Sequence, residues 1–249
     1  MLTFKADIFN GITINALSLP LSHSDVKLSL ENLISHAKSD NKRLIWLTLP
    51  IDQSDVIPQA IQLGFVFHNC SEQEVTLILR LVADAYAPFV PTHSIGAGAL
   101  VINDDNQVLV IRERLATGKG YKLPGGHIEL GENIHEAVAR EVFEETGIKA
   151  CFKELVGFAS KHPYQFGKSN IYFICRLVPL THQIEIQDTH EIADARWVDL
   201  ECYISDENNS EFNRELVNKL RNVQGLVNVE LDFNQGQNGK KEIFFAQHE

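Results

Sequence analysis

The hydrophobic pattern of residues 1–91 predicts a small α/β domain. Asn10-Gly11, a favoured hairpin turn, separates two short apolar segments. Amphipathic and continuously apolar stretches then alternate, which is typical of helices packed on buried strands. The predicted elements are two strands within Asp7–Leu19, a helix Ser24–Lys38, a strand Arg43–Pro50, a helix Ser54–Leu63 and strands Phe65–Cys70 and Val75–Leu81. Their order is β-β-α-β-α-β-β.

A proline-punctuated linker, residues 84–94, separates this leader from a second series of elements. Apolar runs predict strands at Ile95–Ile102, Gln107–Arg112, Lys149–Gly157, Ile171–Leu177 and Ala195–Leu200. An amphipathic helix, Asp206–Arg221, and a hairpin of Val227–Phe233 with Glu242–Phe245 are predicted to follow. We therefore expect a domain 1–91, a domain 92–202 and a C-terminal helix-and-hairpin extension 203–249.

One helix is marked at both ends by its own residues. Asn133 is a good N-cap, because its side chain can accept a free backbone N–H of the first turn. Glu136, three residues later, completes a capping box. Gly147 is a typical helix stop, since glycine adopts the left-handed conformation without strain. The pattern therefore predicts a helix from Asn133 to Gly147.

The inward stripe of this helix changes from apolar to acidic. At about 100° per residue, Glu141 and Glu145 lie on the stripe that Ile134 and Val138 begin. A solvated surface is the ordinary explanation of a charged run, but the phase of the helix argues against it. Buried carboxylates near a helix C-terminus are unfavourable unless they are paired or bind metal. Carboxylates one turn apart supply the hard oxygen ligands that Mg²⁺ requires.

These residues match every fixed position of the Nudix box, G-x(5)-E-x(7)-R-E-U-x-E-E-x-G-U, in which U is apolar. The matching positions are Gly126, Glu132, Arg140, Glu141, Val142, Glu144, Glu145, Gly147 and Ile148. The preceding YKLPGG, Tyr121–Gly126, is similar to the aromatic-x-apolar-Pro-Gly-Gly lead-in of the same family. The chain therefore resembles the Nudix hydrolases, which cleave a nucleoside diphosphate linked to another moiety. The resemblance implies an α/β/α sandwich with a mixed sheet.

The resemblance also implies roles for individual residues. Glu141 and Glu145 would be the main metal ligands, Glu144 a further ligand and the Gly125 carbonyl a backbone ligand. Arg140 and Glu132 would hold the glutamates and the loop by ion pairing. The implied ion is Mg²⁺, with Mn²⁺ as the alternative. Metal-activated water would attack phosphorus while the ions neutralise charge on the bridging oxygens.

The leader carries a resemblance of its own. Residues 45–70, IWLTLPIDQSDVIPQAIQLGFVFHNC, are similar to the domain that precedes the Nudix box in plant ADP-ribose/NADH pyrophosphohydrolases and in the vertebrate growth-factor antisense Nudix protein. The similarity continues through Phe166–Leu177. The element order also resembles part of an acetyltransferase fold, but the R-x-x-G-x-G/A turn that holds coenzyme is absent. We expect a packing or dimerisation surface, giving a homodimer, rather than a direct role in substrate binding.

Several loop residues near the box are candidates to contact substrate. The cations that could bind phosphates are Arg112, Arg114, Lys122, Lys161 and Lys168, although solvent-facing charge explains each of them equally well. Tyr164 or Phe166 could stack on a base. Glu191, with Asp188 ranked below it, lies where several Nudix enzymes add one more acidic metal ligand or general base.

Composition narrows the choice of partners and of compartment. The net charge of −11 opposes binding to nucleic acid or to an anionic membrane, whereas small nucleotides screened by Mg²⁺ remain suitable ligands. The four cysteines form no C-x-x-C pair, which favours reduced thiols over a zinc site or disulfides. No signal-peptide pattern and no run of about 18 apolar residues is present, so we expect a cytoplasmic protein.

The clues to the substrate divide. In Nudix families a proline about sixteen residues past the final glycine of the box accompanies ADP-ribose hydrolysis. A tyrosine at nearly the same position accompanies hydrolysis of dinucleoside polyphosphates. Pro163 fits the first position and Tyr164 the second. The plant relatives favour ADP-ribose or NADH, and NADH ranks lower because the zinc-ribbon cysteines and SQPWPFPxS motif of another NADH-cleaving group are absent. The alternatives are a catalytically weak Nudix-fold binding or regulatory protein, or a hydrolase for dinucleoside polyphosphates or oxidised nucleotides.

Overall fold

A computed structural model describes residues 2–229 and 241–246, which form two compact units divided between Pro91 and Thr92. The first unit has the predicted element order, but its first strand lies before Asp7 and not within Asp7–Leu19 as predicted. Its elements are β1 Phe4–Ala6, β2 Ile12–Ile14, α1 His23–Ser39, β3 Leu44–Pro50, α2 Ile57–Gln62, β4 Val66–Cys70 and β5 Glu74–Arg80. No helix in the described ranges is long and apolar enough to cross a membrane.

The first unit is a five-stranded sheet in the order β1-β2-β3-β5-β4, with β2 and β3 parallel. Side chains alternate across β3, so that Ile45 and Leu47 join the core with Leu30 of α1. The predicted helix Ser54–Leu63 is wrong in its start. A 3₁₀ helix, Ile51–Val56, precedes α2, because Pro58 lacks an N–H and is suited to the first turn of an α-helix.

The second unit contains the remaining elements. They are β6 His93–Val101, β7 Gln107–Glu113, β8 Gly125–His127, α3 Ile134–Thr146, β9 Ala150–Lys161, β10 Ser169–Pro179, β11 Ile192–Asp199, α4 Leu200–Ser205, α5 Glu211–Leu220, β12 Val227–Asn228 and β13 Phe244–Phe245. Four strands form a sheet in the order β8-β6-β10-β9, with β6 and β10 parallel and the other pairs antiparallel. β7 pairs antiparallel with β11.

Successive side chains of the central strands enter different cores. Ala99 of β6 packs in one core with Val142 of α3. The next residue, Leu100, packs in another core with Tyr203 of α4 and Val217 of α5. Because neighbouring side chains of a strand point to opposite faces, α3 covers one face of the sheet and α4 and α5 cover the other. The predicted α/β/α sandwich with a mixed sheet is confirmed.

The C-terminal segment differs from its predicted form. The expected helix Asp206–Arg221 begins only at Glu211, because Asp206 Oδ1 accepts from the Asn208 N–H at 2.9 Å and closes a turn instead. Ser210 then caps α5. Val227–Asn228 pairs antiparallel with Phe244–Phe245, as a hairpin requires, and residues 230–240 of the predicted hairpin lie outside the described ranges.

Both ends of α3 are fixed as the sequence predicts, and one has an additional partner. Asn133 and Glu136 form the capping box. The Glu242 carboxylate also accepts hydrogen bonds from the N–H groups of Ile134, at 2.7 Å, and His135, at 3.1 Å. An anion at a helix N-terminus satisfies free donors and the helix dipole together. Gly147 ends the helix at φ 74°.

Gly147→Ala should destabilise the protein more than Gly131→Ala does. Both glycines have positive φ, which costs an alanine about 1–2 kcal/mol. A Cβ on Gly147 would also lie 2.2 Å from the Glu185 carbonyl oxygen, whereas a Cβ on Gly131 meets nothing within 4 Å. Denaturant unfolding followed by circular dichroism measures both losses, and equal losses would contradict the predicted clash.

Candidate active site

The most deeply buried carboxylate of the site belongs to Glu145. Glu145 is 4% exposed, and its Oε2 accepts a hydrogen bond of 2.7 Å from the Gly125 N–H. Burial raises the pKa of Glu145 to about 8, although the Gly125 N–H and the charge of Lys122 act in the opposite direction. The free protein therefore holds this carboxylate in an environment that lacks sufficient positive charge.

Glu141 lies one turn earlier and is held against the backbone of β8. A Cβ on Gly126 would lie 2.6 Å from Glu141 Oε1, so the carboxylate occupies space that only glycine leaves open. Burial raises the pKa of Glu141, and the opposing charge of Arg140 does not cancel that effect. The consecutive glycines of β8 thus allow two carboxylates of α3 to approach the strand.

Arg140 joins the loop before α3 to the glutamates on the helix. Its Nε donates to Glu132 Oε1 at 2.8 Å, and its Nη1 donates to Glu141 at 3.0 Å and to Glu144 at 2.9 Å. The hydrogen bond from Arg140 lowers the pKa of Glu132 despite partial burial. One guanidinium therefore contacts three carboxylates, and through Glu132 it joins the loop to the helix, as the resemblance implied for these ion pairs.

The donor set fits a hard divalent cation. In the described ranges no three His, Cys, Asp or Glu side chains are already grouped as a metal site. Arg140 binds Glu141 and Glu144, and Gly125 binds Glu145 through its N–H. The type of donor nevertheless suits a hard divalent cation, because carboxylate oxygens outnumber the nearby cations and Glu145 is buried with a raised pKa. Ligand roles for Glu141, Glu144, Glu145 and the Gly125 carbonyl stay predictions.

A cavity of about 700 Å³ borders these carboxylates through Gly125 and Gly126, which form part of its wall. Of the predicted substrate-binding residues, Lys122, Lys161 and Tyr164 line it. Lys161 Nζ lies 5.6 Å from the centroid of the Tyr164 ring. Lys122 is paired with Glu113, which also lines the cavity, so the lining combines one paired cation, Lys161 and an aromatic ring near the acidic helix.

Glu191 lines the same cavity, and its charge adds to the raised pKa values of Glu141 and Glu145. Asp188 has a different position in this loop. Its Oδ1 accepts from the N–H groups of His190 and Glu191, both at 3.0 Å. Asp188 therefore shapes the loop that presents Glu191.

The remaining candidates lie elsewhere in the structure. Arg114 does not line the cavity, because its guanidinium donates to the carbonyl oxygens of Thr189, at 2.8 Å, and Ile192, at 3.2 Å. Arg112 lies 5.4 Å from the Tyr121 ring centroid, also outside the lining. Phe166 is 97% exposed, and neither it nor Lys168 lines the cavity. Their assignment to the substrate site has no support from their positions.

The C-terminal helix α5 supplies cavity residues that we did not predict. Phe212, Asn213 and Leu216 line the cavity, although no sequence pattern indicated chemistry in this segment. Phe212 and Leu216 are four residues apart and so share a helix face. Phe212 is 56% exposed despite its apolar side chain, which is the signal that could have identified this face.

Comparison with known proteins covers both units. Residues 92–220 match the NUDIX domain, and residues 2–81 match a second family described as a Nudix hydrolase domain. The chain is 33% identical to Nudix hydrolase 8 of Arabidopsis thaliana over 80% of this chain and 55% of the relative. It is 32% identical to Nudix hydrolase 2 of the same plant over 80% of this chain and 72% of the relative.

A mouse protein is similar over the same region. Nucleoside diphosphate-linked moiety X motif 6 of Mus musculus is 35% identical over 79% of this chain and 65% of its own length. The predicted resemblance of the leader and of the box to plant and vertebrate Nudix proteins is confirmed by these matches.

In excess chelator, Glu145→Gln should stabilise the protein, and the gain should grow between pH 5 and pH 8. The pKa of Glu145 is raised from 4.5 to about 8, so the wild-type fold loses stability as pH rises through this window. The gain should reach about 3 kcal/mol at pH 8. Thermal unfolding at both pH values measures it, with the exposed Glu207→Gln as control. A gain in stability that does not change with pH would contradict the raised pKa of Glu145.

Proposed function

The chain belongs to the Nudix hydrolase family, and from this premise we propose that it cleaves ADP-ribose, or NADH as the second choice, with Mg²⁺ as cofactor. Hydrolysis of ADP-ribose gives AMP and ribose 5-phosphate. The observation that carries the proposal is the buried Glu145 and the partly buried Glu141 beside a cavity that Lys122 and Lys161 line.

Each group of the site has a task in this reaction. A bound Mg²⁺ supplies charge neutralisation at the diphosphate and acidifies water. Glu141, Glu144 and Glu145 are the side chains that hold it, and Arg140 orients two of them. Lys122 and Lys161 attract the diphosphate. Glu191 is the proposed general base, accepting a proton as water oxygen bonds to phosphorus and the bridging P–O bond breaks.

The cavity supports a substrate of this size and chemistry. A volume of about 700 Å³ is within the range of sites for nucleotide-sized ligands. Tyr164 lines the cavity and offers a ring on which adenine can stack. The same ring would serve a dinucleoside polyphosphate, so the choice of ADP-ribose rests on the similarity to the plant relatives and on Pro163.

Glu141→Gln and Glu145→Gln should each lower kcat for ADP-ribose by about 100-fold or more, because each removes a charged metal-binding oxygen. Steady-state assays with Mg²⁺ and with chelator measure this, and Glu207→Gln should retain wild-type rates. The substrate panel should include NADH, diadenosine polyphosphates and oxidised dNTPs. If diadenosine polyphosphates or oxidised dNTPs gave a kcat/KM ten times that of ADP-ribose, that compound would replace ADP-ribose as the proposed substrate. Binding without turnover would favour the regulatory alternative.

We further propose that the protein is a cytoplasmic homodimer in which the first unit provides the contact. β4 is an edge strand of its sheet, and its Val66 and Phe67 are 49% and 64% exposed. An apolar edge strand favours pairing with another chain.

Phe67→Lys should therefore shift the protein from dimer to monomer without loss of the fold. Light scattering after size-exclusion chromatography measures the mass, with Phe158→Lys, on a 71%-exposed side chain of the second unit, as control. A wild-type monomer, or a dimer that survives the substitution, would contradict this contact.

A further inference from the structure

Tyr172 lies flat across strand β6, in space that two glycines leave open. Tyr172 of β10 is the register partner of Gly96 on the parallel strand β6. A Cβ on Gly96 would lie 3.2 Å from Tyr172 Cδ2, and a Cβ on Gly98 would lie 2.0 Å from the Tyr172 hydroxyl oxygen. Side chains at either glycine would displace the ring, so this pair of glycines fixes where the hydroxyl lies.

The ring lies on the face of the sheet that α4 and α5 cover, and its hydroxyl lies against Gly98. Gly98 pairs with Gly125 of β8, whose N–H binds Glu145. Tyr172 lines the cavity together with Lys122 and Lys161. Burial raises the pKa of Tyr172, and the charge of Glu145 adds to that effect, so the phenol stays protonated and available as a donor.

The hydroxyl has no hydrogen-bond partner within residues 2–229 and 241–246. Tyr172 lines the cavity, and its hydroxyl is not among the buried unpartnered atoms of the described residues, so it is open to a ligand that enters. Tyr203 of this unit is buried and has an internal partner instead, since its hydroxyl donates to the Tyr121 carbonyl at 2.9 Å. The position of the Tyr172 hydroxyl thus suits a group that enters the cavity.

We propose that Tyr172 is a substrate-binding residue whose hydroxyl donates a hydrogen bond to a phosphate oxygen of the diphosphate. The inference rests on the proposed function. A phosphate is the expected acceptor because the hydroxyl lies against Gly98, whose strand partner Gly125 binds Glu145, and because Lys122 and Lys161 share the cavity lining. A neutral donor there binds the anion without repelling the cation.

Tyr172→Phe removes the hydroxyl and keeps the ring. We expect kcat/KM for ADP-ribose to fall about tenfold or more, as for the loss of a hydrogen bond to a charged group. The melting temperature of the ligand-free protein should not fall, because the hydroxyl has no partner to lose. Tyr86→Phe, on an exposed side chain of the first unit, is the matched control. A fall in melting temperature with unchanged kcat/KM would assign the hydroxyl to packing and overturn the proposal.

Equilibrium binding separates this inference from the proposed function. In chelator, Tyr172→Phe should weaken the binding of ADP-ribose, measured by NMR titration, and leave that of adenosine unchanged, since adenosine has no phosphate. Equal weakening of both ligands, or of neither, would overturn the phosphate contact. If the wild-type protein hydrolysed no member of the nucleotide panel, the proposed function would fail, and the binding comparison would still test Tyr172.

The placement of the ring has its own test. Gly98→Ala should destabilise the protein, and combining it with Tyr172→Ala should recover most of that loss, because the added Cβ collides with the phenol ring. Additive losses in this double-mutant cycle would show that the ring does not occupy the space above Gly98 and would remove the basis of the proposal.

Discussion

The close approach of helix α3 to the glycine backbone of β8 is the constraint on which the site depends. Glu145 reaches the Gly125 N–H at 2.7 Å, and Glu141 lies where a Cβ on Gly126 would be. Any larger residue at Gly126 would push the helix or its carboxylate away. The approach also buries negative charge, which is unfavourable until a cation arrives. Stability is thus lower at the carboxylates that we propose as the metal site.

The rest of the second unit keeps this arrangement in place and gives substrate access to it. α3 packs on one face of the sheet through Val138 and Val142, while α4 and α5 cover the other. Arg140 ties Glu132, Glu141 and Glu144 together, and Glu242 caps the start of the helix. The cavity is formed by glycines of β6 and β8, the ends of β9 and β10, and α5. Rigid elements on several sides therefore position the reacting groups.

The sequence predicted the features that depend on local patterns. Asn133, Glu136 and Gly147 mark the ends of α3 because capping is decided within one turn of the chain. The strands and helices followed from the periodicities, and the sandwich followed from the resemblance. Features that join distant residues were not predictable in this way. The cationic side chain of Arg114 could bind phosphate but instead donates to two backbone carbonyls. Phe212 lines the cavity from a helix that the sequence pattern predicted only as amphipathic. Tertiary contact, not residue type, decides these roles.

Titration with Mn²⁺ followed by electron paramagnetic resonance measures whether the carboxylates of α3 bind metal. The wild-type protein should bind the ion, and Glu141→Gln and Glu145→Gln should each weaken binding by about tenfold or more, because each variant loses one charged oxygen ligand. Glu207→Gln should bind as the wild type does. Equal Mn²⁺ affinity in all four proteins would show that Glu141 and Glu145 are not metal ligands.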